Sequence, residues 1–274
     1  MKIPKSYLFV PATHLDRVIK AFDSGATAVI IDLEDAVLGT DKVALRDELR
    51  AFLKSWDFSS CGELWLRING ADTADCEQDL LLVSEFAKLS GVLLPKVETA
   101  QDVQKAAKLT DKPIIAMLES AKGLLNIASV AQVRGLFALS YGCLDMFYSL
   151  GVIPNSKGAD ILLNRVRTDL LLHSAVNGLS APIETIFTDF YDEAGLTDYV
   201  QAWQSLGFGG QLLIHPKQVA TMNKALQFDK ATLEFAQKVL TTYQDSGQAV
   251  FSVDGHMVDM PLILWAKGVL QNNK

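Results

Sequence analysis

The chain has 274 residues, 49% hydrophobic and 21% charged, which supplies a sizeable core and lacks the low hydropathy and high charge of a disordered polymer. Thirty-two acidic against 25 basic residues leave a formal charge of −7, and no basic run offers phosphates a continuous track, which argues against a nucleic-acid-binding role. Apolar runs such as Thr27–Ile31 are far shorter than the roughly 18 residues that span a bilayer, so no integral membrane segment is expected.

At the N-terminus, Pro11 ends the apolar stretch Tyr7–Val10 before the hydrophobic region of an export signal is complete. The three cysteines, Cys61, Cys76 and Cys143, have neither CxxC nor Cys/His spacing. They are expected as free thiols of a cytoplasmic protein.

Short β-branched or aromatic runs ending in polar residues predict strands at Tyr7–Pro11, Ala28–Asp32, Leu64–Asn69, Gly91–Lys96, Pro113–Glu119, Leu136–Ser140, Pro182–Asp189 and Gln211–Pro216. Between them apolar residues recur at helical spacing: Leu15, Val18, Ile19 and Phe22; Leu45, Leu49, Phe52 and Leu53; Val103, Ala106 and Ala107. Glycine precedes several strands, at Gly25, Gly62, Gly91, Gly135 and Gly210, which suits helices ending in left-handed caps. Eight alternations predict an α/β fold, a (β/α)8 TIM barrel over residues 1–228, with a doubly wound open sheet as the alternative. Its sixth unit is stretched by a short helix, a turn over Gly151–Gly158 and a long helix over Asp160–Asn177. Residues 229–274, with a helix over Ala231–Tyr243, are predicted to form a C-terminal helical extension packing on a neighbouring subunit.

In such a barrel the active face lies at the C-terminal strand ends. Those ends carry Asp32, Glu34 and Asp35, then Arg67 and Asn69, Lys96 and Glu98, Glu119, and Asp145 just beyond strand six. Several carboxylates without histidine or thiolate neighbours suit a hard cation such as Mg²⁺, which keeps several waters and needs one or two of them. Glu119 and Asp145, from consecutive strands, are the candidate pair, and Arg67 is a candidate fork for a substrate carboxylate. Capping of the following helix is the competing role for Glu119, and a structural ion pair is the competing role for Arg67. Asp41 and Asp75 are expected to be helix caps. Strand alternation predicts that Asp32, Glu34 and Asp35 do not all face the site.

Ser6–Pro11, Ala28–Val37, Leu66–Asn69, Leu94–Glu98, Leu118–Gly123 and Ile214–Pro216 together resemble the citrate lyase β subunit family. That family groups with the malyl-CoA and citramalyl-CoA lyases in the HpcH/HpaI aldolase superfamily. The resemblance is collinear over nearly the whole chain, and Asp32-Leu33-Glu34-Asp35-Ala36-Val37 and Glu119-Ser120-Ala121-Lys122-Gly123 are its specific blocks. It implies a Mg²⁺-dependent carbon–carbon lyase, usually a homotrimer, acting on hydroxy-acyl thioesters of coenzyme A or an acyl-carrier protein. Glu119 and Asp145 match its metal ligands and Arg67 its carboxylate-binding arginine. Asp259 falls in a C-terminal motif that supplies an acid/base to a neighbouring subunit. Glu34 and Asp35 fit behind the metal as acceptors for its waters, and His14, Arg17 and Lys20 are candidate thioester contacts at the rim. Two blocks depart from the family pattern: Pro11-Ala12-Thr13-His14 lacks a glycine and an arginine, and Gly142-Cys143-Leu144-Asp145-Met146 has leucine where an acid is usual. A class II pyruvate aldolase with a histidine base, and a non-catalytic thioester- or partner-binding paralogue, are the alternatives.

Overall fold

The computed structural model describes residues 5–37, 41–55 and 61–272; the segment Met1–Pro4, part of the N-terminal reading above, lies outside them. Contacts divide the chain into two compact units, Met1–Asn223 and Lys224–Lys274.

In the first unit the apolar runs form β1 (Ser6–Pro11), β2 (Ala28–Asp32), β3 (Glu63–Arg67), β4 (Gly91–Leu94), β5 (Ile114–Leu118), β6 (Leu136–Tyr141), β7 (Ile183–Glu184) and β8 (Gly210–Leu213). They make one sheet in the order β6-β5-β4-β3-β2-β1-β8-β7, and every ladder in it is parallel. Parallel strands need crossover connections that cover the sheet. The helices supply this cover with apolar stripes: Leu45, Leu49 and Leu53 on Lys42–Ser55, and Leu163, Val166 and Leu170 on Lys157–Val176. The sheet curls into a nearly closed barrel. At the β6–β7 seam Ser140 Oγ donates to the Ile183 carbonyl at 2.9 Å, and the Ser180 amide donates to the Phe137 carbonyl at 2.9 Å.

The predicted seventh strand, Pro182–Asp189, contracts to Ile183–Glu184. Glu184 is fully buried and is bound by Arg167 (3.1 and 3.0 Å), Tyr199 (2.6 Å) and Tyr141. Beyond it Thr185 Oγ1 accepts from the Cys143 amide at 3.2 Å, so side chains replace further ladder. Two glycine assignments also separate. Gly25 (φ +88) does adopt the left-handed cap, whereas Gly91 is required for space, because a Cβ there would lie 2.3 Å from Trp65 Cζ3.

The barrel interior is filled by alternate residues of the strands, among them Tyr7, Ala28, Ile30, Trp65, Leu93, Ile115, Met117, Ala138, Ile183 and Leu212. Tyr7 meets Trp65 edge-on at 6.0 Å. This packed layer closes the barrel below the mouth, so a ligand has room only at the strand ends.

The second unit is not wholly helical. Between the helices Lys230–Ser246 and Met260–Asn272, part of the predicted helical extension forms a hairpin of β9 (Phe251–Val253) and β10 (His256–Val258) instead. Asp254 (φ 50) and Gly255 (φ 83) turn it, as a two-residue hairpin with left-handed central residues requires. Ala236, Val239, Val253, Val258, Ile263, Ala266 and Val269 make its own core. No helix among the described residues is long and apolar enough to cross a membrane.

Candidate active site at the barrel mouth

Period-two alternation carries three charged residues onto the inner face at the top of the barrel. Asp32 continues the inward series Ala28 and Ile30, Arg67 follows Trp65, and Glu119 follows Ile115 and Met117. Arg67 and Asp32 form a bidentate pair, with Nε 2.7 Å from Oδ1 and Nη2 2.6 Å from Oδ2, and the guanidinium lies 4.9 Å over the Phe9 ring. The chain leaves the strand after Asp32 and enters a 3-10 turn at Asp35–Val37, so alternation no longer applies. Contrary to expectation, Glu34 and Asp35 therefore both turn toward the same arginine, whose Nη1 lies 3.2 Å from Glu34 Oε2 and 3.3 Å from Asp35 Oδ2. Lys96 Nζ completes the network, pairing with Glu34 Oε1 and lying 3.2 Å from Asp35 Oδ1.

Glu119 does not cap the next helix. Ser120 does, its Oγ accepting from the Gly123 amide at 3.2 Å, which frees the Glu119 carboxylate to face the mouth. There Glu119 Oε2 accepts from the Lys96 amide at 3.1 Å. Lys96 has φ 53, a left-handed conformation that few non-glycine residues adopt. On the other side Gly142 leaves the needed room, since a Cβ there would lie 2.5 Å from Glu119 Oε1. Asp145 enters from the first turn of the helix Cys143–Leu150, and with Glu119 and Arg67 it lines a cavity of about 410 Å³. A second space of about 650 Å³, lined by Lys96, Glu98 and Lys122, meets the first at Glu119 and Asp145.

Burial, and then the charges of Glu34 and Asp145, push the Glu119 carboxyl up to about 8. Burial also raises Glu34. Burial opposes the Asp35 charge too, but Arg67 and Lys96 outweigh it and hold Asp35 below the usual carboxylate range. Glu119 and Asp145 fit a hard divalent cation: both donors are carboxylate oxygens, and Glu119 is held against two other acids, so nearby positive charge relieves it. No cluster of three or more His, Cys, Asp or Glu suited to a metal occurs among the described residues. A cation that takes two protein ligands and fills its sphere with water and substrate matches that supply.

His14, Arg17 and Lys20 are exposed on the turn and helix after β1. Asp259 belongs to the second unit, where its carbonyl accepts from the Ile263 amide at 3.0 Å as the helix Met260–Asn272 begins. Asp41 caps as expected, its Oδ1 accepting from the Val43 and Ala44 amides. Asp75 does not: Thr73 is the cap, and Asp75 instead binds Arg46 at 2.5 Å. His215 stacks on Phe190 at 4.6 Å, and all three cysteines are free.

Residues 5–216 match the HpcH/HpaI aldolase/citrate lyase family. The chain belongs to that family. It is 32% identical over 271 residues to a (3S)-malyl-CoA thioesterase of Cereibacter sphaeroides, covering 97% of this chain and 93% of the relative. It is 30% identical over 286 residues to the citrate lyase subunit beta of Leuconostoc mesenteroides, covering 98% and 93%. The fold is shared with the protein CitE of Mycobacterium tuberculosis, solved in complex with magnesium, acetoacetate and coenzyme A, at a TM-score of 0.85 and 29% identity over 99% of this chain and 98% of that one.

Within this HpcH/HpaI barrel, Lys96 and Gly142 are site residues that sequence reasoning did not select. Lys96 is visible in sequence as a basic strand-end residue within the family-like block Leu94–Glu98, and Gly142 as the glycine that opens the block Gly142–Met146. Gly142→Ala is expected to displace Glu119 and lower catalytic turnover by about a hundredfold or more, as an ångström-scale misplacement does. Assays of turnover beside thermal melting check this, with the folded structure retained.

Proposed function

We propose that this chain is a Mg²⁺-dependent carbon–carbon lyase that cleaves a 3-hydroxyacyl thioester into an acetyl thioester and a 2-oxo acid. The thioester is carried on coenzyme A or an acyl-carrier protein. The observation that carries the reading is the meeting of Glu119, Asp145 and Arg67 around one cavity at the barrel mouth.

Glu119 and Asp145 would hold the cation, which when bound supplies Lewis-acid stabilisation of the charge that builds on the substrate's hydroxyl oxygen. Arg67, immobilised by Asp32, would orient the bond to be broken by binding the carboxylate beside that hydroxyl in place of its Glu34 and Asp35 contacts. The Lys96 amide keeps Glu119 in place, and Glu34 and Asp35 would accept hydrogen bonds from waters that the cation brings. The hydroxyl loses its proton and becomes the carbonyl of the 2-oxo acid. Its carbon separates from the thioester α-carbon, and the enolate takes up one proton, so the products together equal the substrate. Asp259 is assigned that proton transfer, from a neighbouring subunit of a homotrimer. His14, Arg17 and Lys20 are assigned the thioester's phosphates at the rim.

A pyruvate aldolase with a histidine base is disfavoured, because no histidine lines the cavity among the described residues. The test is a product assay with citramalyl-CoA, malyl-CoA and citryl-CoA, with Mg²⁺ and with EDTA. Metal-dependent release of acetyl-CoA with a 2-oxo acid is expected, and Asp259→Asn is expected to lower turnover by about a hundredfold without weakening Mg²⁺ binding. Free coenzyme A with intact hydroxy acid would mark a thioesterase instead, and binding without turnover a non-catalytic paralogue.

A further inference from the structure

We propose that Glu184 is a positioning residue: from the open seam of the barrel it fixes the strand end that carries Asp145 toward Glu119, and so sets the spacing of the two carboxylates. This rests on the reading that Glu119 and Asp145 hold the cation.

β6 and β7 stand at opposite ends of the sheet order, and no ladder joins them among the described residues. On its other edge β6 is tied to β5 as far as Tyr141, which lies opposite Leu118, and the Gly142 amide donates to the Leu118 carbonyl at 3.1 Å. Backbone pairing with β5 stops there. Glu119 follows Leu118 directly, whereas Asp145 comes from the first turn of the helix Cys143–Leu150, past the end of that ladder. The start of this helix is therefore held from the seam side.

The upper end of the seam is bridged by side chains. Tyr141 donates its hydroxyl to Glu184 Oε1, and the Cys143 amide donates to Thr185 Oγ1 at 3.2 Å. Glu184 is the hub. Fully buried, it also receives Arg167 through Nε and Nη2 at 3.1 and 3.0 Å and the Tyr199 hydroxyl at 2.6 Å. A buried carboxylate with that many donors is held rigidly in one orientation. Such an ion pair adds little net stability over apolar packing of similar volume; what this one supplies is a fixed point against which Tyr141 sets the end of β6. The next residue, Gly142, is the one that packs against the Glu119 carboxylate, and Cys143 begins the helix bearing Asp145. Tyr199 donates to the same oxygen from the helix Glu193–Leu206, which follows β7, so its bond does not cross the seam.

That asymmetry supplies the test. Tyr141→Phe and Tyr199→Phe each take one hydroxyl from the same carboxylate and keep the ring, so both are expected to fold and to melt at a somewhat lower temperature. Mn²⁺, which suits the same oxygen ligands as Mg²⁺, is titrated into the metal-free protein and the free ion is counted by its EPR signal. Tyr141→Phe is expected to weaken Mn²⁺ binding by about tenfold or more, as loss of a partner behind a metal ligand does, and Tyr199→Phe by less than about twofold. A hydroxyl that only stabilised the fold would shift melting and leave metal affinity alone. Tyr141→Phe binding Mn²⁺ as tightly as wild type, or Tyr199→Phe weakening it as much as Tyr141→Phe, overturns the inference and leaves the metal pair standing. Wild-type affinity retained in Glu119→Gln overturns the metal pair and the inference with it.

Discussion

Glu119→Gln is expected to abolish cleavage and, in the absence of metal, to make the protein more stable at alkaline pH. Loss of one of two carboxylates for the cation removes most of the electrostatic stabilisation of the developing alkoxide, a fall in turnover of about a thousandfold or more. The stability effect has the opposite sign for a physical reason. Burial and the charges of Glu34 and Asp145 raise the Glu119 carboxyl from 4.5 to about 8, so the folded state binds its proton more tightly than the unfolded chain does. Folding then loses stability as pH rises between those values, by up to about 4–5 kcal/mol in full, at roughly 1.4 kcal/mol per pH unit. Glutamine carries no charge at any pH and escapes the loss. Thermal unfolding in EDTA should show wild type and variant alike near pH 4.5 and the variant melting higher by at least about 5 °C at pH 8.5. Equal melting temperatures at both pH values would contradict this account of Glu119.

Arg67→Met is expected to damage both the fold and the activity, and a second substitution separates the two. The arginine side chain is 12% exposed and its partner Asp32 2% exposed, so the variant strands a buried carboxylate with Glu34 and Asp35 nearby. Breaking a buried pair on one side costs about 3–5 kcal/mol. Adding Asp32→Asn removes the stranded charge and is expected to restore most of that stability, as measured by urea unfolding. Turnover should stay low in the double variant, because the edge that receives the substrate carboxylate is still missing. Full recovery of activity with stability would reduce Arg67 to a structural role.

These two residues also mark how far a sequence reading reaches. The barrel was legible because β-branched runs alternate with helical stripes eight times, and that pattern has few packings. The inward direction of Asp32, Arg67 and Glu119 was legible for a similar reason: side chains two apart on a strand share a face, so a polar residue two places beyond a core residue arrives at the mouth. The free thiols and the cap at Asp41 followed from local chemistry alone. The extension was less legible, because three-residue strands such as β9 and β10 are too short for periodicity to register.

The sequence by itself determined the (β/α)8 framework, the family and the set of charged residues at the strand ends, since all of these depend on local periodicity and on motifs contiguous in the chain. The tertiary structure alone decided how those charges pair. Alternation ends with the strand, so only the fold shows Glu34 and Asp35 both turned to Arg67. The competing roles, cap or open carboxylate for Glu119 and open fork or structural pair for Arg67, depend on neighbours 23 and 35 positions away in the chain: Lys96 for Glu119 and Asp32 for Arg67. The space Gly142 leaves for Glu119 and the convergence of Asp145 on it arise where two strand ends meet. Distances of that kind are set by barrel closure, and no spacing within one segment encodes them.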